Sequence, residues 1–457
     1  MIEPLPLIAS GQEFASAVLA NGLQVVTVEM PHLHSAEMVC YVGVGSRHEK
    51  VENAGISHFL EHLLFRGTRD FDTGEKLEQA FEEIGGSVNA SVDAETTCFF
   101  SRFHPDHLNR TVFLFASLLL RPLFLDTEIE RRIILEEALE DVNEKGEIIC
   151  TDQLIAGLCW PAHPLSLPTI GSRESLTAIR REDLMAHHGA CYTPENALLA
   201  VAGRVRHEEV MKAVAAHFGK WTGGSAKPVP IPFPGGASNA PRCAWVHDND
   251  SQVEMEIAFR LPGRHDVPAA PLKILRRLLA GGMASRLMRR LREELGLIYG
   301  VEGNLVLFAD SGPFSFSLAV APEKMVETLR ETLAVLDKIC REPVAEEELA
   351  RAAKGMLFDL EFSRDQTEEM AGRYGWGMMV GSLKTIDEER RAILAETPAS
   401  LLATAARYLH PESLRSAVVG PFRDRDRFIF EEILQAYRRP RPSIKRESAS
   451  ADRLQRS

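Results

Sequence analysis

Ala36-Glu37-Met38-Val39, running on to Gly45-Ser46-Arg47-His48-Glu49, returns later in the chain as Val253-Glu254-Met255-Glu256, running on to Pro262-Gly263-Arg264-His265-Asp266. The displacement is constant at 217 residues: Glu37 maps to Glu254, Arg47 to Arg264, and Pro105, at the head of one helical pattern, to Pro322 at the head of another. A fixed displacement is the mark of an internal repeat, so the chain reads as two copies of one domain. Its 457 residues exceed one typical core, and a hydrophobic content of 45% is enough to fill two.

The copies meet in Trp221-Thr222-Gly223-Gly224-Ser225-Ala226-Lys227-Pro228-Val229-Pro230-Ile231-Pro232-Phe233-Pro234-Gly235-Gly236, whose prolines and glycines favour an extended, semi-rigid linker. The expected organisation is a first domain over 1–220, a linker over 221–242, a second domain over 243–437 and a basic tail over 438–457. In the first copy, residues 23–29 and 37–44 read as strands and 87–102 as a long strand pair. Helical patterns fall around 55–66, 74–84, 105–121 and 127–143. Strands in runs, rather than strict alternation with helices, predict an α+β fold: two homologous domains, each a mainly antiparallel sheet with helices packed on one face.

The first copy also contains Ser57-His58-Phe59-Leu60-Glu61-His62, an H-x-x-E-H pattern. At roughly 100° per residue, positions 58, 61 and 62 share about a third of a helix circumference, so one face carries two imidazoles and a carboxylate. A hydrolytic zinc site needs three protein ligands and one open position for water. Two histidines one turn apart supply two ligands, and the glutamate between them is free to act on the water. The third ligand must come from elsewhere, and Glu130, Glu136 and Glu137 follow in a second helical segment. Apolar residues at 129, 133, 134 and 138 predict one buried face for that helix. Glu130 and Glu137 lie two turns apart, and either can point at the metal while the other braces a histidine. Shifted by 217, His58, Glu61, His62 and Glu137 fall on Leu275, Leu278, Leu279 and Lys354. The second copy therefore cannot hold the ion.

The stretch Gly55 to Thr68 resembles the pitrilysin and insulysin metallopeptidase family, in particular its short-chain branch similar to mitochondrial processing peptidase. So do Gly85-Gly86-Ser87-Val88-Asn89-Ala90, Ile129 to Glu137, His163 through Gly171, Tyr192-Thr193-Pro194-Glu195-Asn196, and Ser285 through Tyr299. The ordered set spans the chain to about residue 435. The resemblance implies a zinc endopeptidase holding one Zn2+ per chain, with His58, His62 and Glu137 as ligands, Glu61 as general base and Glu130 bracing a ligand. An extended peptide substrate can add itself as a strand beside residues 87–97, and the resemblance supports Asn89 and Ala90 as its contacts. It implies likewise that Arg292 and Tyr299 reach across a closed chamber to substrate near the zinc. Longer members of the family have four such domains around a chamber, so two of these chains are expected to assemble. A homodimer is the simplest form and a heterodimer with a metal-free homologue the alternative. Some relatives have lost the ligands and serve as structural subunits, whereas this chain retains all of them.

A net charge of −13 disfavours nucleic acid and anionic membranes as partners and leaves cationic peptides attractive. No apolar run reaches the ~18 residues of a membrane span. Met1-Ile2-Glu3-Pro4-Leu5-Pro6-Leu7 lacks the basic cluster and apolar core of a secretory signal. Seven scattered cysteines without C-x-x-C pairs read as free thiols, making cytoplasm the expected location. The tail from Arg438 is basic and proline-bearing, and its composition predicts disorder.

Overall fold

The computed structural model describes residues 13–224, 227–235 and 241–437. The N-terminal segment read for an export signal, residues 225–226 and 236–240 of the linker, and the tail 438–457 lie outside the described residues. The first half contains β1 (Ala15–Val18), β2 (Gln24–Glu29), β3 (Ala36–Val42), α1 (Ile56–Leu64), α2 (Gly74–Glu82), β4 (Asn89–Val92), β5 (Thr97–Phe103), α3 (Leu108–Leu120) and α4 (Thr127–Glu137). It continues with α5 (Thr151–Cys159), α6 (Arg173–Ala178), α7 (Arg181–Cys191), β6 (Ala197–Gly203) and α8 (His207–Phe218). The second half opens with β7 (Cys243–Val246), β8 (Val253–Pro262), α9 (Ala269–Ala280), a π-helical turn over Met288–Glu294, β9 (Ile298–Leu305) and β10 (Ser311–Val320). It closes with α10 (Met325–Ile339), α11 (Glu346–Ser363), α12 (Thr367–Met379), α13 (Ile386–Leu394), α14 (Pro398–Tyr408), β11 (Leu414–Val419) and α15 (Asp424–Ala436).

The duplication is explicit in the topology. One sheet runs β1-β2-β6-β3-β5-β4 and the other β7-β11-β8-β10-β9, so the second repeats the first without its outermost strand. In each sheet one pair is parallel, β2 with β6 and β7 with β11, and the remaining pairs are antiparallel. The displacement of 217 holds for whole elements: β6 and β11 start at 197 and 414, α3 and α10 at 108 and 325, α8 and α15 at 207 and 424.

Side-chain alternation divides the first sheet between two cores. Met38, Cys40 and Val42 of β3 face the half's own helices, joining Phe59, Leu60 and Phe115. Val39 and Tyr41, on the opposite face, join a core shared with the second half that includes Met370 and Tyr374 of α12. That face is covered by α12, which packs on β2, β3 and β6. The exchange is reciprocal, because α5 of the first half packs on β7, β8 and β11. There Arg260 and Arg415 of the second sheet donate to the carbonyls of Cys159 and Leu158 at the C-terminal end of α5, at 2.8 and 3.4 Å. Cations at that end complement the helix dipole. Each domain thus packs its own helices on one face of its sheet and lends one helix to the other domain.

The helix expected over 127–143 stops at Glu137. The Asn143 side chain accepts from the backbone N–H groups of Lys145 and Glu147, and a bridge between Val142 and Ile148 closes the turn. This local side-chain bonding competes successfully with helical hydrogen bonds.

Candidate metal centre

The first turn of α1 is set by a residue from another element. Gly55, before the helix, has φ of 88°, and a Cβ there would lie 2.4 Å from the carbonyl oxygen of Ile170, so only glycine fits. With no side-chain cap from that glycine, the buried Glu49 carboxylate accepts from the N–H groups of Gly55 at 2.7 Å and Ser57 at 2.9 Å. Burial pushes the Glu49 carboxyl up to about 7, against the opposing effect of these bonds. The helix buries Phe59, Leu60, Leu63 and Leu64 under the sheet and directs His58, Glu61 and His62 together.

Helix α4 packs against α1. Glu130 is buried and its carboxylate receives His62 Nδ1 at 3.2 Å and Arg66 Nε. Two turns on, the Glu137 carboxylate lies 3.7 Å from His58 Nε2 through Oε1 and 3.5 Å from His62 Nε2 through Oε2. The buried apolar face expected for α4 differs from the one observed: Ile134 is buried, while Ile129 and Ile133 are 41% and 43% exposed. The helix presents Glu130, Ile134 and Glu137 to α1, and polar contacts rather than an isoleucine stripe hold it there.

The donor set fits a zinc ion. Tetrahedral coordination at Zn–N and Zn–O lengths near 2.0–2.2 Å sets ligand atoms roughly 3.3 Å apart. Glu137 approaches each imidazole at slightly more than that, but through a different oxygen, and lies outside the compact cluster of His58, Glu61 and His62, so it closes on the ion by a small side-chain rotation. The contact of Nδ1 with Glu130 favours the His62 tautomer whose Nε2 lone pair faces the cluster. The counterpart on His58 is not secured: its Nδ1 is buried and has no hydrogen-bond partner among the described residues. Burial and then His62 bring His58 down to about 4, which keeps it neutral and able to ligate. At His62 burial works downward, but the Glu130 hydrogen bond and the charges of Glu61, Glu137 and Glu130 outweigh it and raise the imidazole. Burial pushes Glu61 up to about 7, with His62 opposing and Glu137 adding. Glu130 is held below the ordinary glutamate range despite burial, by hydrogen bonds from His62 and Arg66.

Among the described residues His58, Glu61 and His62 form the one cluster of at least three potential ligand side chains whose donor atoms all lie within 4.8 Å of one another. In the second half Leu275, Leu278 and Leu279 are buried in α9. A cavity of about 1140 Å³ lies between the halves, on the face of the first sheet that carries Val39, Tyr41 and Phe100. Because α1 packs on the opposite face, this cavity is not the metal site.

Asn89 and Ala90 lie on β4, the edge strand of the first sheet, which also packs against α1. Asn89 is exposed and its amide donates to Ser87 Oγ at 3.4 Å. Gly86, just before this strand, is required by the fold itself, since a Cβ there would sit 1.8 Å from the Arg102 carbonyl oxygen. Arg292, in the π-helical turn, stacks with its Cζ 5.2 Å from the ring centre of Tyr299 on β9, and Tyr299 is 86% exposed. No described hydrogen bond or ion pair joins either residue to the metal cluster. Sequence reading missed Glu49 and Arg66. Arg66 had a signal, lying four residues beyond His62 and just past the C-terminal end of α1, whereas Glu49 belongs to no periodic pattern with α1.

Two imidazole nitrogens and a carboxylate converging beside a further carboxylate form the donor arrangement of the zinc hydrolase class. The chain belongs to the insulinase family of peptidases, M16. Residues 24–172 match the model described as Insulinase (Peptidase family M16), and residues 178–356 match the Peptidase M16 inactive domain. A protein of Mycobacterium tuberculosis described as an uncharacterized zinc protease is 34% identical over 408 residues, 88% of this chain and 92% of the relative. The uncharacterized zinc protease YmxG of Bacillus subtilis is 28% identical, covering 88% of this chain and 97% of its own. In fold, the chain is similar to a protease from Helicobacter pylori, with TM-score 0.83 and 23% identity over 89% of this chain and 99% of that one. It is also similar to a chain of complex III2 from Candida albicans, with TM-score 0.76 and 17% identity over 91% of this chain and 99% of that one.

Proposed function

We propose that the chain is a zinc-dependent endopeptidase that cleaves extended peptides, including leader or targeting segments, in a chamber formed by a homodimer. The observation that carries this reading is the convergence of His58 Nε2, His62 Nε2 and the Glu137 carboxylate, at 3.5–3.7 Å between glutamate and histidines. These residues would hold one zinc ion, with Glu130 orienting His62. When bound, the ion supplies Lewis acidity, which acidifies a water and polarises the scissile carbonyl. Glu61 takes the proton from the attacking water at its carboxylate and returns it to the leaving amine. The free edge of β4 aligns the peptide by main-chain hydrogen bonds, with Asn89 and Ala90 beside it. Arg292 and Tyr299, with no described polar link to their own chain's cluster and with Tyr299 largely exposed, serve the metal centre of the partner subunit as hydrogen-bond donors to the substrate carbonyl.

The division of labour follows the domains: 1–220 carries the chemistry and 243–437 the substrate-facing arginine and tyrosine. The free state of all seven cysteines supports a reducing compartment, the cytoplasm. No helix among the described residues is long and apolar enough to cross a membrane. The second reading, a catalytic subunit paired with a metal-free homologue, is separated by gel filtration with zinc measured per chain. A structural role without catalysis is disfavoured by the intact ligand set. The test is Glu61→Gln: zinc content stays at wild-type level while cleavage of a fluorogenic peptide library falls at least about 100-fold. Undiminished cleavage removes Glu61 from its role.

A further inference from the structure

We propose that the turn Ser46–Glu49 positions the metal-binding helix, Glu49 fixing the first turn of α1 and Arg47 fixing the turn to the second half through Asp310. The half without ligands thereby sets the geometry of the half that has them. This inference rests on the zinc reading and adds to it a task for the second domain.

Three observations lead to it. Glu49 is 1% exposed and its two oxygens take the N–H groups of Gly55 and Ser57, the latter directly before His58. Helix N-termini leave four N–H groups unpaired, and an anion there is favourable to both the hydrogen bonds and the dipole. Two residues earlier, Arg47 is 1% exposed and spans both halves. Its Nη2 donates to Asp310 Oδ1 and Oδ2 at 3.0 and 2.9 Å, and its Nη1 pairs with Glu95. Asp310 in turn accepts from the linker N–H of Phe233 at 2.8 Å.

The repeat supplies an internal comparison. Arg47 corresponds to Arg264, which pairs back onto Glu95 of the first half, so the two arginines clasp the halves reciprocally. Glu49 corresponds to Asp266, which is exposed, and Gly55 to the buried Leu272. The clasp is duplicated, whereas the helix grip exists only where the helix carries ligands. A shift of the first turn moves His58 relative to Glu137, and the separations near 3.5–3.7 Å leave only tenths of an ångström before coordination is lost.

The test measures zinc affinity by competition with a chromophoric chelator, and the thermal midpoint of the metal-free full chain. The variants are Glu49→Gln, Asp310→Asn and a control, Leu329→Ala, which opens a hole on the buried face of α10. Glu49→Gln and Asp310→Asn are expected to raise the zinc dissociation constant about 10- to 100-fold, the range for groups that orient ligands. The control lowers the thermal midpoint at least as far and leaves zinc affinity within about twofold, because a merely structural loss does not reach the ligands. Wild-type zinc affinity in both variants overturns the proposal, and wild-type affinity in Asp310→Asn alone overturns the role of the second half. Should Glu49→Gln fail to fold, Glu49→Asp, which shortens the reach to both N–H groups, takes its place with the same criteria. A wild-type chain that binds no zinc refutes the metal reading itself and is recognised before any variant is compared.

Discussion

Replacing Glu130 tests whether the metal centre depends on a buried carboxylate that does not face the ion. Glu130 accepts from His62 Nδ1 at 3.2 Å and from Arg66 Nε, so Glu130→Ala removes both contacts at once. A hydrogen bond involving a charged group contributes about 1.5–3 kcal/mol. Arg66 is 31% exposed and regains water, so its share of the loss is small. His62 loses the partner that fixes its tautomer and ring plane, and a loss of about 1.4–2.7 kcal/mol in zinc binding corresponds to a dissociation constant raised about 10- to 100-fold. Glu130→Gln keeps an acceptor for Nδ1 while losing the charge, so its effect falls between wild type and alanine. The assay is chelator competition on the metal-free chain, with circular dichroism to show that the fold persists. Equal zinc affinities in all three proteins would refute the reasoning.

Further tests reach other parts of the account. Gly375→Val on α12 is expected to destabilise by about 1–3 kcal/mol through overpacking, because a Cβ there lies 2.6 Å from the Ala200 Cβ and 2.8 Å from Tyr41 Cε2. Gly372→Ala, one turn earlier, meets only the Tyr41 hydroxyl at 3.9 Å and is expected to stabilise by up to about 1 kcal/mol through helix propensity; thermal melts that rank the two the other way contradict the packing described for α12. At Glu389 burial acts upward, but Lys273 and Arg373 outweigh it and hold the carboxyl down to about 2. Because this folded-state value is depressed, the stabilisation, about 2–3 kcal/mol, is present above pH ~4.5 and is lost as pH falls toward ~2. Urea unfolding should therefore show Glu389→Gln weaker than wild type at pH 6, with a gap that narrows toward pH 3, and a constant gap argues against the assignment. Glu61→Gln and Arg292→Ala/Tyr299→Phe chains, each inactive alone, should recover about a quarter of wild-type activity on subunit exchange, since half the dimers are mixed and each holds one intact site. No recovery places arginine and tyrosine in the service of their own chain's zinc.

The duplication and the metal helix were legible because both are short-range or strictly periodic signals. The displacement of 217 fixed the element correspondence from β2 and β7 through α8 and α15, and His58, Glu61 and His62 share a face by helical geometry alone. Choosing Glu137 over Glu130 was beyond periodicity, since both point toward α1 and only the resemblance separated them. The face of α4 was misread because Ile129 and Ile133 fit helical spacing as well as Ile134 does, and nothing local reveals that Glu130 bonds to His62 and Arg66. The exchange of α5 and α12 was invisible for a different reason. A strand buried on both faces, as β3 is, shows that something covers its second face but not which distant helix does so. Glu49 and Arg47 act across 6 to 263 residues of sequence through pairs of side-chain hydrogen bonds, and contacts of that kind carry no period.

The most direct test of the central claim is a crystal structure of zinc-loaded protein with anomalous scattering recorded at the zinc edge. The account predicts one anomalous peak per chain, about 2.0–2.2 Å from His58 Nε2, His62 Nε2 and a Glu137 oxygen, with Glu130 still on His62 Nδ1. A peak elsewhere, or none after soaking with the Glu137 carboxylate turned away from both imidazoles, would contradict it.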